Sequence, residues 1–487
     1  MTDNDCTAES RSDRGETIAE QARDFATSPE RFFGGSWHAM HHLEPERLAA
    51  LQLAAVQMRF SELRDRIPTL TVMADELGIG EIAERDDVVP LLFQHSVYKS
   101  YPSSLLEKNR FGHLTRWLDR LTTHDLSGVD VSGCDGIDSW LDTLDAETEL
   151  RVAHSSGTTG TMSFLPRGLD DWDRMCEALR CGLYQVSDPL SERNHSDEYF
   201  NLIWPLYRYG RSAVARVPDL GMKQLLGSEE RFHAMRQGRL SSDAMYLAGR
   251  MRAAAARGEL DRLEISLALR ARREEFERER RELAEGMPRF LEQTIDQLKG
   301  ERIWMMAPWN VLYDMARAGL ERGLEGVFAS DSVITTGGGA KGQTPPADWE
   351  DVVKRFIGVE RLQQNYGMSE ITALNKLCEH GRYHFEPWIV PFILDPDSGA
   401  PLPRHGIQTG RMACFDVLPA SYWGGFITGD EVTADWSPCA CGKTTAHIER
   451  TVERYSEKRG GDDKITCAAS DEAHRAALEL LTEPAID

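Results

Sequence analysis

Apolar positions recur at helical spacing through LEPERLAALQLAAVQMRFSELRDRI, where Pro45 stands at a place that the first turn of a helix tolerates. The pattern predicts a mostly helical region over residues 29–147, preceded by a disordered arm over residues 1–28. The stretch HDLSGVDVSGCDG, rich in Gly, Asp and Ser, interrupts it with a loop. From Thr148 to Arg167 the character changes: TELRVAHS reads as a strand, SGTTGT as a polar glycine loop and MSFLPR as a second strand. NLIWPLY (201–207) is a further strand candidate. Over residues 229–299 the chain turns charged, with Glu and Arg interleaved at three- and four-residue offsets in RLEISLALRARREEFERERRELAEGM. No apolar heptad seam is sustained there, so the expectation is a helical insertion at the surface rather than a coiled coil. Beyond Gly300, the apolar runs IWMMAPW, GVFASDSVITTGG and GVERLQQNYG read as strands, separated by the helical patterns LYDMARAGLERGL and PPADWEDVVKRFIG. Strand–helix–strand alternation predicts an α/β core over residues 148–382 with a largely parallel sheet. Short strands and turns predict a β-rich subdomain over 383–458, and residues 459–487 read as a short tail.

Composition narrows this picture. At 487 residues the chain exceeds what one hydrophobic core usually organises, so two or more subdomains are expected. A net charge of −23 disfavours nucleic acid and anionic membranes as partners, and acidity of this kind commonly serves solubility. MTDNDCTAESRSDRGET has neither a basic nor an apolar stretch, so no targeting segment is expected, and no apolar run reaches bilayer-spanning length. Nine scattered cysteines argue against a disulfide framework and point to a reducing, cytoplasmic setting.

Four short motifs carry candidate chemistry. Ser155-Ser156-Gly157-Thr158-Thr159-Gly160 offers four hydroxyls and two glycines, a composition suited to cradling an anion, although it lacks the lysine of a Walker loop. Gly337-Gly338-Gly339-Ala340-Lys341 follows the strand SVITT and combines close backbone approach with a cation. Tyr366-Gly367-Met368-Ser369-Glu370 closes a strand and ends in a carboxylate, a hard oxygen ligand of the kind Mg²⁺ prefers. Thr428-Gly429-Asp430 is expected to put a carboxylate on a tight turn, within reach of ribose hydroxyls.

SSGTTG, GGG, YGMSE and TGD in that order resemble the adenylate-forming superfamily of acyl-CoA synthetases and adenylation domains. Within it the chain is most similar to the phenylacetate–CoA ligase branch and to the acyl-protein synthetases of bacterial luminescence, which PLLFQHSVYKSYP and GGGAK also resemble. The likeness spans about Val88 to Ile465. It implies an α/β fold: the large N-terminal domain of that superfamily, with two sheet-containing subdomains and a small β-rich unit. It also implies that Ser155 to Gly160 hold the triphosphate of ATP, that Gly337 to Gly339 and Tyr366 flank adenine, that Glu370 holds Mg²⁺ and that Asp430 binds ribose. The implied reaction joins a small carboxylic acid to AMP with release of pyrophosphate, then passes the acyl group to an amine, a protein thiol or CoA, with a partner protein as one possible acceptor.

The hinge signature of the superfamily stands here as Arg459-Gly460-Gly461-Asp462-Asp463, with the sequence then running to Asp487. The mobile C-terminal domain is therefore expected to be absent or vestigial, which leaves Lys341 and Lys464 as candidates for the cation at the α-phosphate. Cys467 resembles the acyl-accepting cysteine of the luminescence synthetases, and a thiolate suits that role. His154, ahead of the glycine loop, is a further candidate facing the acyl or acceptor site. Trp309 and Tyr313 are weaker candidates for the acyl side, with ordinary core packing the commoner role.

Cys378, His384, Cys439 and Cys441 form a set typical of structural Zn²⁺, with His380 as an alternative to His384 and plain reduced cysteines as the bland reading. Cys-Ala-Cys-Gly resembles a stretch of the phenylacetate–CoA ligase branch, with Lys443 in place of its arginine. Two other functions stay open: an amide-forming or other AMP-ester ligase with no thioester step, and a non-catalytic nucleotide-binding scaffold.

Overall fold

The computed structural model describes residues 17–155, 161–184, 199–259, 267–337, 344–458 and 471–483. Its centre is a large mixed sheet. In chain order the strands are β1 (Phe93–Gln94), β2 (Ala153–His154), β3 (Phe164–Leu165), β4 (Asn201–Gly210), β5 (Phe232–Leu240), β6 (Ile303–Met306), β7 (Val333–Gly337) and β8 (Gln363–Tyr366), followed by β9 (Asn375–Leu377), β10 (Arg382–His384), β11 (Ile389–Leu394), β12 (Ile407–Asp416), β13 (Gly425–Asp435) and β14 (His447–Arg454). The hydrogen-bonded path runs β11-β12-β13-β14-β10-β9-β8-β7-β6-β4-β5, with β1 alongside β13, while β2 and β3 pair as a separate hairpin.

The two ends of this path differ in direction. From β5 to β8 every pairing is parallel, and the connections run through helices such as Trp309–Glu321 and Trp349–Ile357, as parallel neighbours require. From β8 through β9, β10, β14, β13 and β12 to β11 every pairing is antiparallel. This is the mixed α/β fold expected from the sequence, with the parallel core and the β-rich portion joined edge to edge in one sheet. Strand β11 (IVPFIL) is buried along its whole length, which explains its continuous apolar run.

Several local expectations need correction. Ile18–Thr27 is a helix inside the stretch read as a disordered arm: Thr17 and Glu20 form a reciprocal capping box, and Ala22, Phe25 and Ala26 bury one face. The stretch 229–299 is not wholly helical, because β5 precedes its helices and pairs in parallel with β4. Phe232 and Ala234 alternate inward there, a period-two signal masked by the surrounding charge. Within the tail, Asp471–Thr482 is a helix that buries Ala473, Ala477 and Leu481 and packs against the helix Pro68–Leu77. Asp430 lies within β13, six residues along the strand rather than on a tight turn. Among the described residues no helix is long and apolar enough to cross a membrane.

Candidate active site

Strands β7 and β8 end side by side, with Gly337 paired to Asn365 and Tyr366 closing β8. Their C-terminal ends lie where the sheet changes from parallel to antiparallel. After Tyr366 the chain turns tightly. A Cβ at Gly367 would approach the Ala373 carbonyl oxygen to 2.9 Å, so glycine permits the return of the backbone.

Glu370 sits in this turn and is held from two sides. Nη2 of Arg167 donates to the Ser369 carbonyl at 3.1 Å. Asp416 accepts from the Thr372 backbone N–H at 2.6 Å and from its hydroxyl at 2.7 Å. Arg167 is itself buried, donating through Nε and Nη2 to the Tyr422 hydroxyl at 3.2 and 2.9 Å and lying over the Trp172 ring at 4.6 Å. Glu370 keeps some exposed surface, yet the protein surrounds its carboxyl closely enough that burial raises its pKa. Lys99, the Ser163 hydroxyl and Arg167 offset this only in part. A carboxyl so short of positive charge is chemically suited to a divalent cation.

On the neighbouring face, the Tyr366 hydroxyl donates to Oδ2 of Asp430 at 3.0 Å, while Nε of Arg454 stands 3.5 Å from Oδ1. Burial, reinforced by Asp430, lifts the phenol far above its ordinary pKa, so Tyr366 stays a proton donor. Asp430 in turn takes its place through a bond from its own N–H to Oγ1 of Thr428 at 3.0 Å.

Ser155 anchors the base of the polar glycine loop: its N–H donates to the Ser163 carbonyl at 3.1 Å, and its hydroxyl accepts from the Ser163 N–H at 2.9 Å. The Ser163 hydroxyl is near enough to Glu370 to help lower its pKa, so the loop base and the carboxylate are neighbours. His154 is fully buried, with Nδ1 at 2.9 Å from the Ser155 carbonyl and Nε2 at 3.0 Å from the Ser242 hydroxyl. Both ring nitrogens are thus occupied by the fold, and burial lowers its pKa to about 4. Ser156, Gly157, Thr158, Thr159, Gly160, Gly338, Gly339, Lys341, Lys464 and Cys467 lie outside the described residues. Trp309 and Tyr313 pack against the core cluster on the helix between β6 and β7. Sequence reasoning missed Arg167, Asp416 and Lys99. Each is an isolated charge in an unremarkable setting, and only its fold partners mark it.

The Cys/His set also assembles. The ligand atoms of Cys378, His384, Cys439 and Cys441 lie within 4.8 Å of one another, a grouping that could hold a metal ion. The Sγ atoms of Cys378 and Cys439 are 3.9 Å apart, and Nε2 of His384 is 3.2 Å from Sγ of Cys441. Tetrahedral Zn²⁺ with ordinary bond lengths has S–S and S–N edges of about 3.8 and about 3.6 Å. Nδ1 of His384 is 3.2 Å from the Thr445 carbonyl, which can accept only from an N–H, so Nε2 presents its lone pair to the sulfurs.

No family model and no curated protein sequence matches the chain. Solved structures do. An open conformation of 2-hydroxyisobutyryl-CoA ligase in complex with 2-HIB-AMP and CoA matches with a TM-score of 0.50 at 11% identity, over 86% of this chain and 77% of that one. The same ligase in its thioesterification state gives 0.48 at 11% identity, over 86% and 70%. ATP-bound MatB from Rhodopseudomonas palustris gives 0.30 at 15% identity, over 61% and 46%. The first match shows that this chain shares the fold of an adenylate-forming ligase; the two lower scores carry no argument, and fold alone does not assign an activity.

Proposed function

We propose that this protein is an AMP-forming ligase, which activates a carboxylic acid with ATP and Mg²⁺ as its acyl-adenylate. The observation that carries this reading is the convergence of the glycine-loop base, Glu370, Tyr366 and Asp430 at the ends of β7 and β8, on the fold of a ligase whose solved complex holds an acyl-AMP and CoA.

In this reading Gly337 and Tyr366 flank adenine, Asp430 accepts from the ribose hydroxyls, and the hydroxyl loop 155–160 binds the β- and γ-phosphates. Glu370 would hold Mg²⁺, which offsets the phosphate charge. The substrate carboxylate oxygen forms a bond to the α-phosphorus as the bond to the β-phosphate oxygen breaks, and pyrophosphate leaves with that electron pair. Such catalysis is mostly positioning and charge stabilisation, and Arg167 and Asp416 supply the positioning by fixing the turn that bears Glu370. His154 supports the loop base instead of exchanging protons with substrate. Lys341 and Lys464 are our candidates for the cation at the α-phosphate. The acyl group then passes to an amine, a thiol on a protein (Cys467 being the candidate within this chain) or CoA. We read the Cys/His group as a closed structural Zn²⁺ site outside the reaction.

The test is pyrophosphate release with Mg·ATP across a panel of aryl, fatty and amino acids, first without and then with CoA or amine acceptors. Release that depends on one acid class and disappears in Glu370→Gln supports the proposal. Binding of ATP with no acid-dependent release from any panel member argues for a nucleotide-binding scaffold.

A further inference from the structure

The Cys/His group is joined to the nucleotide-facing residues by an unbroken run of short polar contacts through the interior. Nδ1 of His384 is 3.2 Å from the Thr445 carbonyl, and the Thr445 hydroxyl is 3.0 Å from Nδ1 of His41. Nε2 of His41 lies 3.2 Å from Oε2 of Glu386, whose other oxygen accepts from Lys376 Nζ at 2.8 Å. The Glu386 N–H donates to Oδ1 of Asn375 at 3.1 Å, and Nδ2 of Asn375 donates to the Tyr366 carbonyl at 3.0 Å. Tyr366 then reaches Asp430.

Every side chain on this route is buried. His41 and Asn375 are 0% exposed, Glu386 2% and Lys376 6%. Buried polar groups of this density hold one arrangement when all are satisfied and lose it when one partner is displaced. The protein also clamps the Cys439–Thr445 loop from its other side, where the Thr444 N–H and hydroxyl donate to the carbonyls of His41 and Leu43 at 2.8 and 2.6 Å. Lys376 lies over the Trp37 ring at 3.7 Å, which fixes the same helical segment against β9.

The cysteines and histidine come from three places: Cys378 just after β9, His384 at the end of β10, and Cys439 and Cys441 in the loop between β13 and β14. A cation shared by them would lock that loop onto the β9–β10 hairpin. Asn375 opens β9 and Tyr366 closes β8, and these two residues are paired across the antiparallel step. Fixing the hairpin therefore fixes the backbone of Tyr366.

We propose that Zn²⁺ bound by Cys378, His384, Cys439 and Cys441 sets the protein's affinity for ATP, by holding Asn375 through Thr445, His41 and Glu386 and thereby seating Tyr366 against Asp430. The proposal rests on the nucleotide-site reading above. Asn375 and Glu386 are positioning residues in it and touch neither the metal nor the nucleotide.

Coupling between two sites is reciprocal, so zinc and ATP must strengthen each other's binding by one common factor. The experiment measures zinc content, far-UV circular dichroism and ATP affinity in excess Mg²⁺ on the full chain, before and after extraction with a zinc-selective chelator. It also follows the rate of zinc extraction with and without saturating ATP. The expected results are one zinc per chain, about tenfold weaker ATP binding once zinc is removed, and slower extraction in the presence of ATP. Asn375→Ala is expected to keep zinc and its circular dichroism spectrum, bind ATP about tenfold more weakly, and lose the effect of ATP on extraction.

A folded, zinc-free wild type that binds ATP as tightly as the loaded form overturns the coupling. If extraction unfolds the chain, Asn375→Ala decides: unchanged ATP affinity in that zinc-loaded variant overturns the proposal. Purified protein that takes up no zinc removes its premise. Zinc-loaded wild type that binds no ATP sinks the nucleotide reading, and the zinc content of the same sample separates that failure from failure of the metal site.

Discussion

Arg167→Met tests the claim that one buried guanidinium positions Glu370, the carboxylate proposed to hold Mg²⁺. Methionine keeps most of the apolar stem but removes the three donations to Tyr422 Oη and the Ser369 carbonyl. Counting the pair to Tyr422 as one, two charge-assisted bonds are worth about 3 kcal/mol together. Lost stacking over Trp172 adds roughly 1 to 2 kcal/mol, and relief from burying a charge returns a similar amount. The net expectation is a loss of about 3 kcal/mol, read from the midpoint of urea unfolding. Freeing the Ser369 carbonyl lets the Glu370 turn drift, and a displacement of about 1 Å at a reacting centre costs on the order of 100-fold in rate. Acid-dependent pyrophosphate release should therefore fall about 100-fold in kcat. ATP affinity should change far less, because Asp430 lies on another strand. Tyr422→Phe is the control: it removes one acceptor and some stability but leaves the bond to Ser369, so kcat should hold. The reasoning fails if Arg167→Met loses the stability yet keeps kcat within about threefold of wild type.

Three other expectations use the same measurements. Glu370→Gln should abolish release and stabilise the nucleotide-free protein at pH 8. Burial raises the folded pKa, so ionised Glu370 costs stability as pH rises above the ordinary 4.5, and the advantage of Gln should vanish towards that pH. A variant no more stable than wild type at pH 8 contradicts this. Tyr366→Phe leaves Oδ2 of Asp430 without its hydroxyl partner and should weaken ATP binding about tenfold, for roughly 1.5 kcal/mol; an unaltered titration would count against the role given to Asp430. His154 has a folded pKa of about 4 against an ordinary 6.5, so the unfolded chain binds more protons between these values. Stability should fall by up to about 3 kcal/mol as pH drops through that window, and His154→Gln should flatten the fall in a pH series of urea midpoints. An unchanged slope in the variant would place the acid sensitivity elsewhere.

The sequence by itself determined the fold class and the order of the candidate motifs along the chain. Parallel strands β6 and β7 were legible because each carries a short apolar run between helical periods, β8 (QQNY) because it lies between a helical period and a glycine, and Tyr366 was correctly placed at a strand end. The Cys/His group that the structure brings together was legible because few other roles suit three cysteines and a histidine. Local patterns failed where charge hid a short alternation, as in β5, or where a glycine beside an aspartate imitated a turn, as at Asp430. Only the tertiary structure decided that Arg167 holds Ser369, that Asp416 holds Thr372, and that His41 and Glu386 stand between the cysteines and Tyr366. The physical reason is that periodicity records which face of an element is buried. A hydrogen bond between residues hundreds of positions apart depends instead on where the sheet brings two strand ends together, and no spacing along the chain encodes that.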